Sequence, residues 1–253
     1  MQAIILCGGY AVRLEPLTKF IPKPLLPIGG KPVLDYIITD LSGEALDEID
    51  ILISTNHKFY DQFNYYLEHK KEKMKRFNLR ICKEPSTHNG NKFGAIKGIL
   101  YTLEHFKIDD DIIIIAGDNF YDFSLKECIK QFMQKREFTI CIHPVATFEE
   151  ARRFGVVETE NDHIKTFHEK PEHPVSKLIS TGIYLIPKED LPLVKKYIDD
   201  KNNPDAPGFF IQWLIQNKVK IRGYKTSGRW FDIGTVATYE EVYKMYEGEA
   251  ASL

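Results

Sequence analysis

The run Ile112-Ile113-Ile114-Ile115-Ala116 contains no polar position. A strand with one face in water alternates apolar and polar residues, so a strand without alternation is covered on both faces. That arrangement belongs to α/β proteins, where helices lie on both sides of a sheet. The opening run Ala3-Ile4-Ile5-Leu6 reads the same way. Strand-like segments at 3–6, 49–54, 79–82 and 112–116 alternate with helical patterns at 33–41, 60–77, 94–106 and 125–134. This β-α-β-α order predicts an α/β fold with a doubly wound, mostly parallel (Rossmann-like) sheet and helices on both faces.

The rhythm changes after residue 138. Segments 138–145, 155–158, 163–168 and 179–186 are strand-like, with turn signals such as Asn161-Asp162 between them. They predict a β-rich insertion. Helical patterns return at 191–198 and 209–217, strands at 219–224 and 229–231, and a closing helix at 236–246 that Thr235 can cap. The chain therefore reads as one domain over 1–247, divided at about 137 and 234, with 248–253 taken as a tail left from cloning.

Charge narrows the partners. Lys and Arg number 34 against 36 Asp and Glu, a net charge of −2, so a general nucleic-acid binder is not expected and any anion site must be local. No apolar run approaches the ~20 residues that cross a membrane. The N-terminus runs directly into a strand, so no signal peptide is expected. Cys7, Cys82, Cys128 and Cys141 form no C-x-x-C pair and read as free thiols in a reducing, cytoplasmic setting. Asp109-Asp110-Asp111 reads as a solvated loop before a strand, and Lys70-Lys71 with Lys73, Lys75 and Arg76 as the wet face or end of a helix.

The first strand runs into Cys7-Gly8-Gly9, followed by Arg13 and by Pro22-Lys23-Pro24. Glycines at a strand end let backbone N–H groups approach a phosphate, because no Cβ intervenes. The prolines stiffen the loop that carries Lys23. The turn is not a Walker A loop, since position 25 is Leu and position 32 is Pro where that motif needs Gly and Ser or Thr. Nor is it the dinucleotide fingerprint, which needs a third spaced glycine.

The longer pattern Gly-Gly-x-x-x-Arg-Leu-x-Pro-Leu-Thr-x-x-x-Pro-Lys-Pro-Leu-Leu-Pro-Ile-x-x-Lys-Pro from Gly8 to Pro32 resembles the signature of the sugar-1-phosphate nucleotidylyltransferases, the nucleotide-sugar pyrophosphorylases, a family that includes the glucose-1-phosphate thymidylyltransferases. The resemblance continues in the family's order through Gly117-Asp118-Asn119, Phe154-Gly155-Val156-Val157-Glu158, Glu169-Lys170-Pro171, Thr181-Gly182-Ile183-Tyr184 and Trp230-Phe231-Asp232-Ile233-Gly234-Thr235. It implies an NTP and a sugar-1-phosphate as substrates, an NDP-sugar and pyrophosphate as products, and Mg2+ as cofactor. It implies nucleotide binding in residues 1–137 and sugar binding in 138–234. Arg13 and Lys23 would grip the phosphates, and Asp118 and Asp232 would ligate the metal, with Asp118 essential to catalysis. Leu6, Gly8, Gly9, Glu84 and Gly94 would line the nucleotide. Glu169, Lys170, Gly182 and Trp230 would hold the sugar phosphate. No nucleic acid or membrane partner is implied, and a homo-oligomer is left open. The resemblance points first to a glucose-1-phosphate thymidylyltransferase-like activity; GDP- or UDP-sugar synthesis, a related glycosyltransferase using Asp118 with Asp122 and a non-catalytic nucleotide-sugar-binding subunit are the alternatives.

Two departures stand out. The family's Gly-Gly-x-Gly-Thr-Arg loop is here Gly9-Tyr10-Ala11-Val12-Arg13, and Ala11 is tolerated if its φ stays negative. Glu84 is the nearest match to a glutamine that faces the base in thymidylyltransferases, and an ionised carboxylate only accepts hydrogen bonds.

Overall fold

The computed structural model describes residues 1–41, 49–70 and 77–250, the side chains of 248–250 excepted. The expected helix over 60–77 therefore lies partly outside the described residues. In chain order the structure opens with β1 (Gln2–Leu6), the short hairpin β2 (Pro27–Ile28) and β3 (Lys31–Pro32), and α1 (Val33–Asp40). Next come β4 (Asp50–Thr55), α2 (Tyr60–Lys70), β5 (Asn78–Lys83), α3 (Ala95–Phe106), β6 (Ile112–Ala116) and β7 (Asn119–Tyr121). α4 (Lys126–Lys135), β8 (Thr139–Pro144), α5 (Phe148–Ala151), β9 (Gly155–Glu160), β10 (His163–Glu169) and β11 (Leu178–Ile186) follow. The chain closes with α6 (Leu191–Asp199), α7 (Pro207–Gln216), β12 (Arg222–Lys225), β13 (Trp230–Asp232) and α8 (Val236–Ala250).

These elements form two compact units. One holds Gln2–Lys92, Ala116–Lys126 and Gly228–Leu253. Its strands β5, β4 and β1 lie in that order and run parallel, in a register set by Gln2 opposite Asp50 and Leu6 opposite Ser54. Ala3, Ile4 and Ile5 have no exposed surface, and Val33, Leu34, Ile37 and Ile38 of α1 are buried too. Each of the buried Val, Leu and Ile side chains contributes about 1.5–3 kcal/mol. Strand β13 pairs antiparallel with β7, which sets Asp232 opposite Asn119. Phe120 of β7 packs edge-on against Tyr36 and Tyr246, tying α1 and α8 to that ribbon. The hydroxyl of Thr235 accepts from the backbone N–H of Thr238 at 3.2 Å, the expected cap of α8.

The other unit holds Met1, Phe93–Ile115 and Glu127–Ser227. Its strands run in the order β6, β11, β8, β12, β10, β9. Only the β12–β8 pairing is parallel; β6–β11, β11–β8, β10–β12 and β10–β9 are antiparallel. The sheets are thus mixed, and the expectation of a mostly parallel sheet describes β5, β4 and β1 but not this unit. Short connections explain the difference. β9 and β10 are joined through Asn161 and Asp162, both at positive φ, and a tight turn of that kind returns the chain antiparallel. Ile112 to Ile115 are buried, as their lack of alternation demands.

One surface reading needs correction. Asp111 is buried and accepts from Arg136 and from the backbone N–H of Lys188, because it anchors two chain segments rather than a wet loop. Lys70 ends α2 and pairs with Asp35, whose other oxygen accepts from Tyr66; Lys71, Lys73, Lys75 and Arg76 lie outside the described residues.

Candidate functional site

The three parallel strands end in a common place, and their ends carry polar side chains. Beyond β1 the N–H of Cys7 donates to the Ser54 carbonyl at 2.7 Å, continuing the ladder. The hydroxyl of Thr55 then donates to the Cys7 carbonyl, and the Asn56 amide donates to the Gly8 carbonyl at 3.0 Å. With those carbonyls satisfied, the turn is fixed through its acceptors as well as through the Cys7 N–H. A Cβ on Gly8 would lie 2.9 Å from the Glu84 carboxylate, so glycine is needed for Glu84 to lie across it. A Cβ on Gly9 would meet nothing within 4 Å. Packing within the chain does not demand glycine there, and the space is open for a close approach from outside.

Glu84 itself is only 6% exposed and follows β5, with its N–H donating to the Thr55 carbonyl. Ser54 donates to its carboxylate at 2.8 Å. Burial pushes its pKa up, and the Ser54 bond works against that shift. Cys7 is fully buried, and its thiol is pushed up by burial first, then by the charges of Asp118 and Glu84. Both carboxylates are therefore near the end of β1.

The strongest electrostatic feature is centred on Lys23. Pro22 at φ −65° and Pro24 frame a single 3-10 turn over Lys23–Leu25, which leaves the lysine 6% exposed. Its ammonium donates to Asp118 at 3.1 Å and to Asp232 at 3.3 Å. Gly117 sets Asp118 in place, since a Cβ there would strike the Cys7 sulfur at 2.7 Å. The β7–β13 pairing brings Asp232 alongside. Asp118 is 51% exposed, so this carboxylate is held from one side and open on the other. Two hard oxygen donors with an open side fit Mg2+, which takes one or two carboxylates and completes its shell with water and substrate phosphates. Among the described residues no group of three or more His, Cys, Asp or Glu could enclose a metal, so the donor set does not resemble a closed zinc cage. Asp122 is committed elsewhere. It accepts from the Arg229 backbone at 2.6 Å, the Arg229 side chain at 2.5 Å and the Tyr246 hydroxyl at 2.8 Å. Burial would raise its pKa, but these three donors outweigh that and hold it below the ordinary value.

Arg13 stands on a 3-10 turn, Val12–Leu14, and is exposed, with no hydrogen bond or ion pair of its guanidinium among the described residues. Ala11, before it, has φ 48° and ψ 37°. The condition that its φ stay negative is not met: the turn adopts the left-handed conformation that the family's glycine accepts freely. Its carbonyl is held by the Thr18 hydroxyl at 2.8 Å and the Leu14 N–H at 3.0 Å. Leu6 ends β1 and accepts from the Gly117 N–H at 3.0 Å, and Trp230 is half-buried on β13 opposite Tyr121.

The remaining predicted residues lie in the second unit. Gly94 has φ +77°, and a Cβ on it would lie 2.6 Å from the Pro204 carbonyl. The Ala95 and Ile96 N–H groups at the start of α3 already donate to the Asp205 and Pro204 carbonyls. Packing thus accounts for this glycine. Gly182 has φ +78° inside β11, where the register with β8 shifts between Ser180 and Tyr184, so a bulge accounts for it too. Glu169 ends β10 and is mostly buried against Gly208 at the start of α7, where a Cβ would lie 1.8 Å from its Oε2. Burial raises its pKa, moderated by Lys170, whose ammonium is 3.8 Å away. Sequence reasoning missed Ser54, Asn56 and Gly208. The first two follow an apolar strand as Ser-Thr-Asn, which is a legible signal, whereas Gly208 shows its role only once Glu169 lies against it.

Comparison with known proteins is consistent across sequence and structure. The family model for nucleotidyl transferases matches residues 2–249. The bifunctional protein GlmU of Methanocaldococcus jannaschii is 31% identical over 235 residues, which cover 92% of this chain and 51% of that protein. The glucose-1-phosphate adenylyltransferase of Bacillus subtilis is 30% identical over 253 residues, covering 94% of this chain and 65% of that one. The chain thus spans between half and two thirds of the length of these curated relatives. A solved structure of a UDP-glucose pyrophosphorylase complexed with UDP-glucose shares the fold, with TM-score 0.79, 22% identity and 98% coverage of each chain.

Proposed function

Because the chain belongs to the nucleotidyl transferase family, we propose that it joins a nucleoside triphosphate to a sugar-1-phosphate, giving an NDP-sugar and pyrophosphate. The observation that carries this reading is the buried Lys23 ammonium shared by Asp118 and Asp232. An oxygen of the sugar phosphate attacks the α-phosphorus of the triphosphate. The bond from that phosphorus to the bridging oxygen breaks, and pyrophosphate leaves with the electron pair. The attacking phosphate has a second pKa of about 6, so at neutral pH it is already largely dianionic and needs no protein base. Catalysis is then positioning and charge stabilisation.

In this reading each residue has a physical task. The exposed Arg13 guanidinium pairs with phosphate oxygens, to which its planar fork is matched. Gly8 and Gly9 let the backbone approach the triphosphate. Lys23 offsets the paired carboxylates and supplies charge near the departing oxygens. Asp118 and Asp232 would hold Mg2+, which when bound supplies positive charge toward the pyrophosphate. Glu169 accepts from sugar hydroxyls, Lys170 pairs with the sugar phosphate, and Gly182 and Trp230 are assigned to the same substrate. Leu6, Glu84 and Gly94 belong to the nucleotide, and the free cysteines suit a cytoplasmic enzyme. A glycosyltransferase built on Asp118 with Asp122 is disfavoured by the three bonds that Asp122 already accepts. The test is a panel of five NTPs against several sugar-1-phosphates with Mg2+, read by pyrophosphate release. Release that requires both substrates supports the reading; release of a free nucleoside diphosphate from an NDP-sugar overturns it.

A further inference from the structure

Glu84 is a buried carboxylate at the strand ends that phosphate chemistry leaves unused. It stands past β5, lies across the Cα of Gly8 at the end of β1, and receives a hydrogen bond from Ser54 at the end of β4. The carboxyl ends of parallel strands are where α/β sheets receive ligands. Among the described residues Ser54 is the one donor to its carboxylate. A carboxylate offers about four acceptor sites, so a group that is only 6% exposed retains acceptor capacity that no neighbour uses. The second Glu84 oxygen is not among the buried side-chain atoms that lack a partner, so the unused acceptor sites lie where a ligand can reach them.

The polar edges of the bases differ in what they offer such a group. Guanine presents two adjacent donors, N1–H and the N2 amino group. Uracil and thymine present one donor flanked by two carbonyl acceptors. Adenine and cytosine set one amino donor beside a ring-nitrogen acceptor. An ionised carboxylate can satisfy both of guanine's donors at once, but meets a repelling lone pair on every other base. We infer that this chain selects a guanine nucleotide, through a bidentate pair between the Glu84 carboxylate and the N1–H and N2–H donors of the base. The inference rests on the nucleotidyl transfer reading and names its nucleotide. Gly8 contributes by leaving the carboxylate room to lie flat against the turn, and Ser54 fixes its rotation from the other side. Selection of this kind is strong because a mismatched base leaves buried polar groups unpaired.

Binding measurements on the full chain separate the outcomes. GTP, ITP, UTP, dTTP, CTP and ATP are titrated with Mg2+ by calorimetry, for the wild-type protein and for Glu84→Gln. ITP is guanosine triphosphate without the N2 amino group. The expected result is GTP bound at least tenfold more tightly than each of the others, ITP included. Glu84→Gln should lose at least tenfold on GTP and gain on UTP and dTTP, since an amide both donates and accepts. Equal affinity for GTP and ITP, or a wild-type preference for any other base, overturns the guanine pairing while leaving nucleotidyl transfer standing. A wild-type chain that binds no triphosphate overturns both. Because the wild-type comparison of GTP with ITP needs no mutant, misfolding of Glu84→Gln would not shield the inference.

Discussion

Ala11→Gly should make the protein more stable, against the usual rule for such a change. Ala11 sits at φ 48° and ψ 37°, and its carbonyl is pinned by Thr18 and Leu14, so the turn cannot relax to a negative φ without losing both bonds. Left-handed backbone costs an L-residue about 1–2 kcal/mol, which glycine avoids. Glycine also frees the unfolded chain, worth about 0.4–1 kcal/mol against folding. The difference leaves a net gain of about 0.5–1 kcal/mol. For a chain of this size that corresponds to a rise in melting temperature of about 2 °C. Urea titration and thermal unfolding measure it, with the urea m-value expected to stay constant. Thr18→Ala removes the pinning hydroxyl from a buried site and should cost about 1 kcal/mol. If Ala11→Gly instead lowers stability by about 1 kcal/mol, as it would at a negative φ, the left-handed turn is refuted.

Further expectations follow from the same geometry. Asp118→Asn should cut turnover by at least about a hundredfold in the presence of Mg2+, with an unchanged circular dichroism spectrum, because it removes charge that opposes a cation; normal turnover would sink the metal assignment. Asp122 has a folded pKa below its unfolded value, so its stabilisation is present above about pH 4 and is lost as pH falls through the folded pKa. Asp122→Asn should therefore lower stability at neutral pH and flatten the acid limb of the stability curve, while leaving the Mg2+ requirement unchanged. An unaltered acid limb would contradict the role given to Arg229 and Tyr246. Gly208→Ala puts a Cβ 1.8 Å from the Glu169 carboxylate, so that side chain must swing aside and its carboxyl pKa, raised by burial, should fall toward the ordinary value; an unchanged Glu169 titration by NMR would contradict the contact.

Much of the fold could be read from particular residues. The isoleucine run at 112–115 requires cover on both faces, and the structure supplies it. The alternation of strands and helices before residue 116 marks the three parallel strands. Strand direction after residue 138 was less legible, because side-chain periodicity is the same in parallel and antiparallel strands. The turn at Asn161-Asp162 held the clue, since two residues at positive φ favour a tight return. The motifs also named residues whose reasons differ. Gly9 faces open space, whereas Gly94 and Gly182 answer to backbone conformation and packing. Sequence spacing could not separate these cases, since each appears simply as a glycine. Nor could it show that Asp111 is buried, because its partner Arg136 is distant in the chain and pairs only on folding.

The central claim is that one bond at the α-phosphorus is exchanged for another. Following the fate of labelled phosphate tests it most directly. With GTP labelled at either the α- or the γ-phosphate, a sugar-1-phosphate accepted in the panel, and Mg2+, the account predicts the γ-label wholly in pyrophosphate and the α-label wholly in the NDP-sugar. A γ-label recovered in free phosphate or on the sugar, or an α-label left in a released nucleoside diphosphate, would contradict it.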